Sequence, residues 1–175
     1  ITYGQLLGES ILTGGEASTD GIFEWVDPKE TFEVGVSQAL VRFKPDDLSS
    51  FDIVENIYVQ VTVHRATQTI NWELTDFVIE VGDTLHLTAV ATSGLEVTYT
   101  LDNEELAEIS GNILIGLQVG MVTITASQSG VYEDEFGDEY ANYLAADPVS
   151  QPITIVAKDI NTGADMIFNE VQATK

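Results

Sequence analysis

The chain has 175 residues, 44% of them hydrophobic, which is ordinary for a protein with a packed core. Its 29 acidic residues against 6 basic ones give a net charge of −23, which argues against a nucleic-acid partner and against docking to an anionic membrane. There is no cysteine, hence neither a disulfide framework nor a thiolate metal site, and no apolar run approaches the roughly 20 residues of a membrane helix.

The acidity is uneven. Residues 1–66 carry 11 acids and 4 bases, residues 67–158 carry 15 acids and 1 base, and no Lys or Arg occurs from Ala66 through Ala157. Such a surface suits solubility or the capture of cations. Ile1 opens directly on a strand-like segment, so the start reads as a domain boundary and the missing signal peptide says nothing about export.

Period-two alternation runs along the chain in order. Phe23 and Trp25 point one way, Glu24 and Val26 the other. Gly35 begins a strand through Phe43, and Ile57, Val59, Val61 and Val63 then alternate with Tyr58, Gln60, Thr62 and His64. Leu85, Leu87 and Ala89 repeat the pattern, followed by Val122, Ile124 and Ala126, and by Ile153 and Ile155. Gly14-Gly15, Asp27-Pro28, Gly82-Asp83 and Ser93-Gly94 punctuate these runs, and Gly111-Asn112 is a two-residue hairpin signal. The only helical candidate, Asp102 to Ile109, offers one or two turns. Many short strands at this spacing predict an all-β sandwich architecture.

A weak internal repeat predicts two domains. Gly35 and Gly120 each begin a strand that is followed by a loop, an aromatic residue (Phe51, Tyr143), a closing strand and a basic residue (Arg65, Lys158). The boundary falls near Ala66-Thr67, giving domains 1–66 and 67–158. No Gly/Ser-rich linker lies there, which predicts a semi-rigid, end-to-end pair. Residues 159–175 read as a linker towards a further C-terminal module.

Tyr3-Gly4-Gln5, Thr13-Gly14-Gly15, Phe23-Glu24-Trp25 and Val41-Arg42-Phe43-Lys44-Pro45 resemble the YGX-type repeat of bacterial surface proteins. Val81-Gly82-Asp83-Thr84-Leu85, Ser93-Gly94-Leu95 and Gly120-Met121-Val122-Thr123-Ile124 are similar to bacterial immunoglobulin-like repeats of large adhesins, as in Bacteroides-like surface proteins. The resemblance implies two tandem immunoglobulin-like β-sandwich domains at the bacterial cell surface or outside the cell. It implies a structural or adhesive module serving as spacer or stalk, with neighbouring domains of the same chain as partners.

Catalytic chemistry finds no support. His64 and His86 are the only histidines, alternation places both outward in different domains, and no Ser or Cys nucleophile is paired with either. The chain is therefore expected not to be an enzyme and to need no cofactor. The segment from Gln128 to Pro148 is the exception, a loop of 21 residues where most connections are shorter than about 12–15. Glu133, Asp134, Glu135, Asp138 and Glu139 place five carboxylates within seven residues, a candidate calcium site if the backbone wraps them. Otherwise self-repulsion predicts an extended, mobile segment. Tyr132, Phe136, Tyr140 and Tyr143 flank the run and are candidates for stacking on glycans or for contacts with host or cell-surface proteins. Tyr143 also reads, like Phe51, as a plug at the end of a sandwich. Trp25 and Trp72 are assigned to the cores.

Overall fold

The computed structural model describes residues 1–75 and 77–158, so the expected linker 159–175 lies outside the described residues. The protein is all-β. Its strands are β1 (Gly21–Trp25), β2 (Gly35–Pro45), β3 (Val54–Val63), β4 (Ile70–Asn71), β5 (Val78–Glu80), β6 (Thr84–His86) and β7 (Val90–Ala91). There follow β8 (Thr98–Leu101), β9 (Ala107–Ser110), β10 (Ile113–Gly116), β11 (Gly120–Ser127), β12 (Tyr132–Glu133), β13 (Glu139–Tyr140) and β14 (Val149–Val156).

Two compact units emerge. One comprises Ile1–Asn71, Val90–Val97 and Ser127–Pro148; the other comprises Trp72–Ala89, Thr98–Ala126 and the described part of Val149–Lys175.

In the first unit β1, β2 and β3 form an antiparallel sheet in that order. The sequence alternation becomes burial: Ala39, Val41, Phe43 and Pro45 are buried along β2 while Gln38 and Lys44 are exposed. On the face that β1 shares with β2, Glu24 lies opposite Arg42 and their side chains pair at 2.6 Å. A 3₁₀ turn, Leu7–Glu9, drops Leu7 (0% exposed) into a core with Ala39, Val61 and Val63, against which Trp25 and Phe32 pack. Hydrogen bonds from Leu7 N to Glu30 O (2.9 Å) and from Gly8 N to Pro28 O (2.7 Å) fix the turn. Burying a leucine this fully contributes about 1.5–3 kcal/mol. Ile1–Tyr3 lies alongside the end of β3, with Tyr3 N donating to His64 O and His64 N to Ile1 O.

The second unit holds two sheets, ordered β5-β14-β11-β8 and β6-β10-β9. β14 runs antiparallel to β11 and parallel to β5. Val122, Ile124, Ala126, Ile153 and Ile155 are at most 1% exposed, all from the inward parity of β11 and β14. Leu114 of β10 and Ala107 of β9 are fully buried. Any Cβ at Gly116 would touch Ile155 and Ile79, so β10 packs directly on the other sheet there. Trp72 (6% exposed) meets Tyr99 edge-on at 5.6 Å. Tyr99 Oη in turn accepts from Ala89 N at 2.9 Å.

Two local expectations fare differently. Gly111-Asn112 does join a hairpin, β9 to β10, with Gly111 at φ 61° as such a turn requires. Asp102 to Ile109 is not helical. Asn103 Oδ1 accepts from Glu105 N at 2.9 Å, and Asp102 Oδ1 accepts from Thr123 N at 2.8 Å, so short polar side chains divert the backbone into a turn before β9.

Candidate functional site

The segment after β11 is organised from its base. Period-two parity carries the inward positions Val122, Ile124 and Ala126 on to Gln128, which is 7% exposed. Its Nε2 donates to Glu96 O at 2.5 Å and its Oε1 accepts from Gly130 N at 2.6 Å. Gly130 has φ +79°, and a side chain there would collide with the Tyr143 and Leu144 carbonyl oxygens, so only glycine fits. Ala146 N closes the base on Gln128 O at 2.9 Å.

Beyond the base the chain forms a hairpin, β12 to β13, where charge repulsion alone predicts an extended segment. Asp134 explains it. Its carboxylate accepts from Phe136 N (2.9 Å) and Asp138 N (3.0 Å), while its own N–H donates to Asp138 O at 3.0 Å. Gly137 supplies the φ of +86° that the turn needs. The Asp138 amide, then the other donors including Phe136 and Tyr140, hold the Asp134 carboxyl below its usual range. Tyr132 and Tyr140 lie opposite one another and stack, ring centroids 5.2 Å apart and 16° from parallel. The Tyr140 phenol is pushed up, first by the neighbouring Asp134 charge.

The five carboxylates are not gathered round a point. Asp134 is committed to backbone amides, Glu133 and Glu139 sit opposite one another across the hairpin, and Glu135 and Asp138 are exposed. Among the described residues no three acidic or histidine side chains form a metal-holding group.

The aromatic candidates divide. Tyr132 and Tyr140 face each other, Phe136 stands 83% exposed at the turn, and Tyr143 packs edge-on to Tyr3 at 5.5 Å. Tyr143 belongs to the hydrogen-bonded base. Ala66 N donates to Asn142 O (3.0 Å) and Leu144 N donates to Ala66 O (2.8 Å), forming a parallel bridge around Tyr143. Gln68 reinforces it, Nε2 to Leu144 O at 2.8 Å, while its Oε1 accepts from Ser93 Oγ. Asn142, 2% exposed, donates from Nδ2 to Glu33 Oε2 at 2.7 Å. Burial first, and then the Glu33 charge, raise the Tyr3 phenol beside it.

Gln68, Gln128 and Asn142 escape a reading for reactive or exposed groups. For the two glutamines a signal exists. Gln68 shares parity with Ile70 and Trp72, as Gln128 does with Ala126, so each is a polar residue on an inward face and requires partners. His64 and His86 are both exposed, one in each unit.

No family model matches the chain, and no curated protein sequence matches it. Among solved structures, the crystal structure of domains 4 and 5 of the S-layer protein SbsC is similar at 22% identity and a TM-score of 0.39, over 83% of this chain and 75% of that one. A longer crystal structure of that S-layer protein gives the same identity and TM-score, and there the match spans 21% of the longer chain.

Proposed function

We propose that this chain is a non-catalytic structural module of a bacterial cell-surface or secreted protein, acting as an extracellular spacer or stalk. In this reading it is built from two tandem immunoglobulin-like sandwiches, residues 1–66 and 67–158. The observation that carries the reading is the clip at Ala66. Where the sequence places its domain boundary, the backbone is bonded on both sides to Asn142 and Leu144 and flanked by Gln68. These bonds lie within the first compact unit and hold the boundary residue in place, where a free linker would leave it unbonded. The immunoglobulin-like assignment is supported in 67–158 by sheets ordered β6-β10-β9 and β5-β14-β11-β8. These seven strands follow the order of an immunoglobulin-like sandwich, with β5 running parallel to β14, while β4 pairs with β7 apart from them. The buried polar side chains Gln68, Gln128 and Asn142 all bond to loops or to Glu33, a scaffold's use of such groups.

Trypsin tests the clip. Arg65 is exposed, and a free linker would be cut at once after it. The native chain is expected to resist there, and the Gln68→Ala, Asn142→Ala double variant to be cut. Rapid native cleavage after Arg65 would refute a bonded boundary. In the parent protein, replacement by unrelated sandwiches of equal length is expected to preserve function, and loss of function would point to a binding module.

A second reading, glycan binding through the 132–143 segment, is favoured by Phe136, whose ring is freely presented at the hairpin turn. A glycan array with the native chain and Phe136→Ala decides it: signal from the first alone supports binding.

A further inference from the structure

The sheet of the first unit has an open edge. Val26 N donates to Leu40 O, and Asp46 N to Asp20 O, at the two ends of β1. Antiparallel ladders alternate, so Ile22 and Glu24 face β2, while Gly21, Phe23 and Trp25 turn their N–H and C=O groups outward. No described residue hydrogen bonds to those outward groups. The opposite edge differs, since Ile1–Tyr3 covers β3 at Thr62–His64. Edge strands are commonly guarded by Lys, Pro or a bulge. β1 reads Gly-Ile-Phe-Glu-Trp and pairs in unbroken register, so it has none of these.

A groove of about 450 Å³ adjoins this strand, with Phe23, Phe43, Phe51 and Ile57 among its lining. A second hollow of about 330 Å³ shares Glu16, Phe23 and Ile57 with it. Glu16 and Asp52 are the charged residues of the larger groove, which has no Lys or Arg in its lining. Glu24, on the opposite face of β1, is already paired with Arg42.

We propose that β1 and this groove form a docking site for a basic, extended peptide segment of a partner protein, added as a further strand along β1. Backbone bonds to Gly21, Phe23 and Trp25 supply affinity. Alternate apolar side chains enter the groove beside Phe23, and lysine or arginine side chains meet Glu16 and Asp52. Charge selects this occupant. A second copy of the chain would bring its own net charge of −23 to an acidic rim. A small apolar molecule would leave the outward amides of β1 without partners.

The test uses the full chain and a short fluorescent peptide alternating lysine with phenylalanine and valine. Saturable anisotropy is expected, together with slowed amide exchange at Gly21, Phe23 and Trp25. Glu16→Lys with Asp52→Lys, two exposed positions, is expected to weaken binding about tenfold or more with an unchanged circular dichroism spectrum. N-methylation of the peptide's alternate amides is expected to abolish binding. Equal binding by the N-methylated peptide, or by one with glutamate in place of lysine, would overturn the proposal. So would absence of binding, or a concentration-dependent dimer protecting the same amides, which would assign the edge to a second copy.

Discussion

Asn142 reaches back 109 positions to donate to the Glu33 carboxylate at 2.7 Å, and it is 2% exposed where it does so. A hydrogen bond to a charged group, made by a buried amide, contributes about 1.5–3 kcal/mol. Asn142→Ala is expected to lose a comparable amount in urea unfolding, and Glu33→Gln, which keeps an acceptor, less. Asn142→Asp would set a second carboxylate against Glu33 and raise the folded pKa of the pair. The proton is then held more tightly when folded, so that variant should be most stable in acid and weaken as pH rises through the raised value. A variant insensitive to pH would show that Asn142 does not face Glu33 in solution.

Leu7 offers a cleaner measure of the first core. It enters from outside the sheet, on the 3₁₀ turn, and is wholly buried between Ala39, Val61 and Val63. Leu7→Ala is expected to cost about 2–5 kcal/mol. With Trp72→Phe as background, Trp25 fluorescence reports that transition, because Trp25 packs on the same cluster. A midpoint shift worth less than about 1 kcal/mol would mean the turn does not dock as described.

The hairpin around Asp134 should melt in acid. Its carboxyl is held below the usual range by the Asp138 and Phe136 amides, so the stabilisation is present above the ordinary pKa of about 3.9 and disappears as pH falls through the lowered one. Protection of the Phe136 and Asp138 amides, taken relative to the exchange of an unfolded chain at the same pH, is expected to fall below about pH 4 in the native chain and to be absent throughout in Asp134→Ala. Calcium should not change this picture. With the carboxylates spread along the hairpin, melting curves in millimolar calcium and in chelator are expected to coincide.

Tyr99 gives an alkaline counterpart in the second unit. Burial raises its phenol, partly offset by the Ala89 backbone bond, so the neutral form is favoured in the folded state. Stability from this residue is complete below about pH 10 and is lost as pH climbs through the raised value. Tyr99→Phe leaves Ala89 N–H without its acceptor and is expected to cost about 1 kcal/mol at neutral pH, while removing that alkaline dependence. Urea unfolding at neutral pH checks the first, and ultraviolet titration of the phenols checks the second.

Strand positions were legible because burial follows parity. Val122, Ile124 and Ala126 announce themselves as an inward row, and β11 spans Gly120–Ser127 as the pattern requires. Long-range partners were not legible. Nothing local to Asn142 points at Glu33, and nothing local to Ala66 points at Tyr143, since those contacts depend on how distant segments pack. The acidic run misled in a different way. Charge repulsion is a mean-field argument, and it missed that one member, Asp134, can satisfy several amides of its own turn. Similarly, Asp102 and Asn103 divert a segment whose apolar spacing permits a short helix.

The first unit is assembled from three stretches of chain, the last of them Ser127–Pro148. A polypeptide leaving a ribosome or a secretion pore presents Glu33 and Ala66 long before Asn142 and Leu144 exist to meet them. The β1–β3 sheet can zip early, since its strands are near neighbours in sequence, but the latch at its far end must wait for β11 to emerge. Until then the Ala66 backbone is open to water and to proteases. Completion of the bridge at Ala66 is thus tied to the late arrival of a downstream segment, so premature truncation before Gln128 should yield a sheet with an unfastened end.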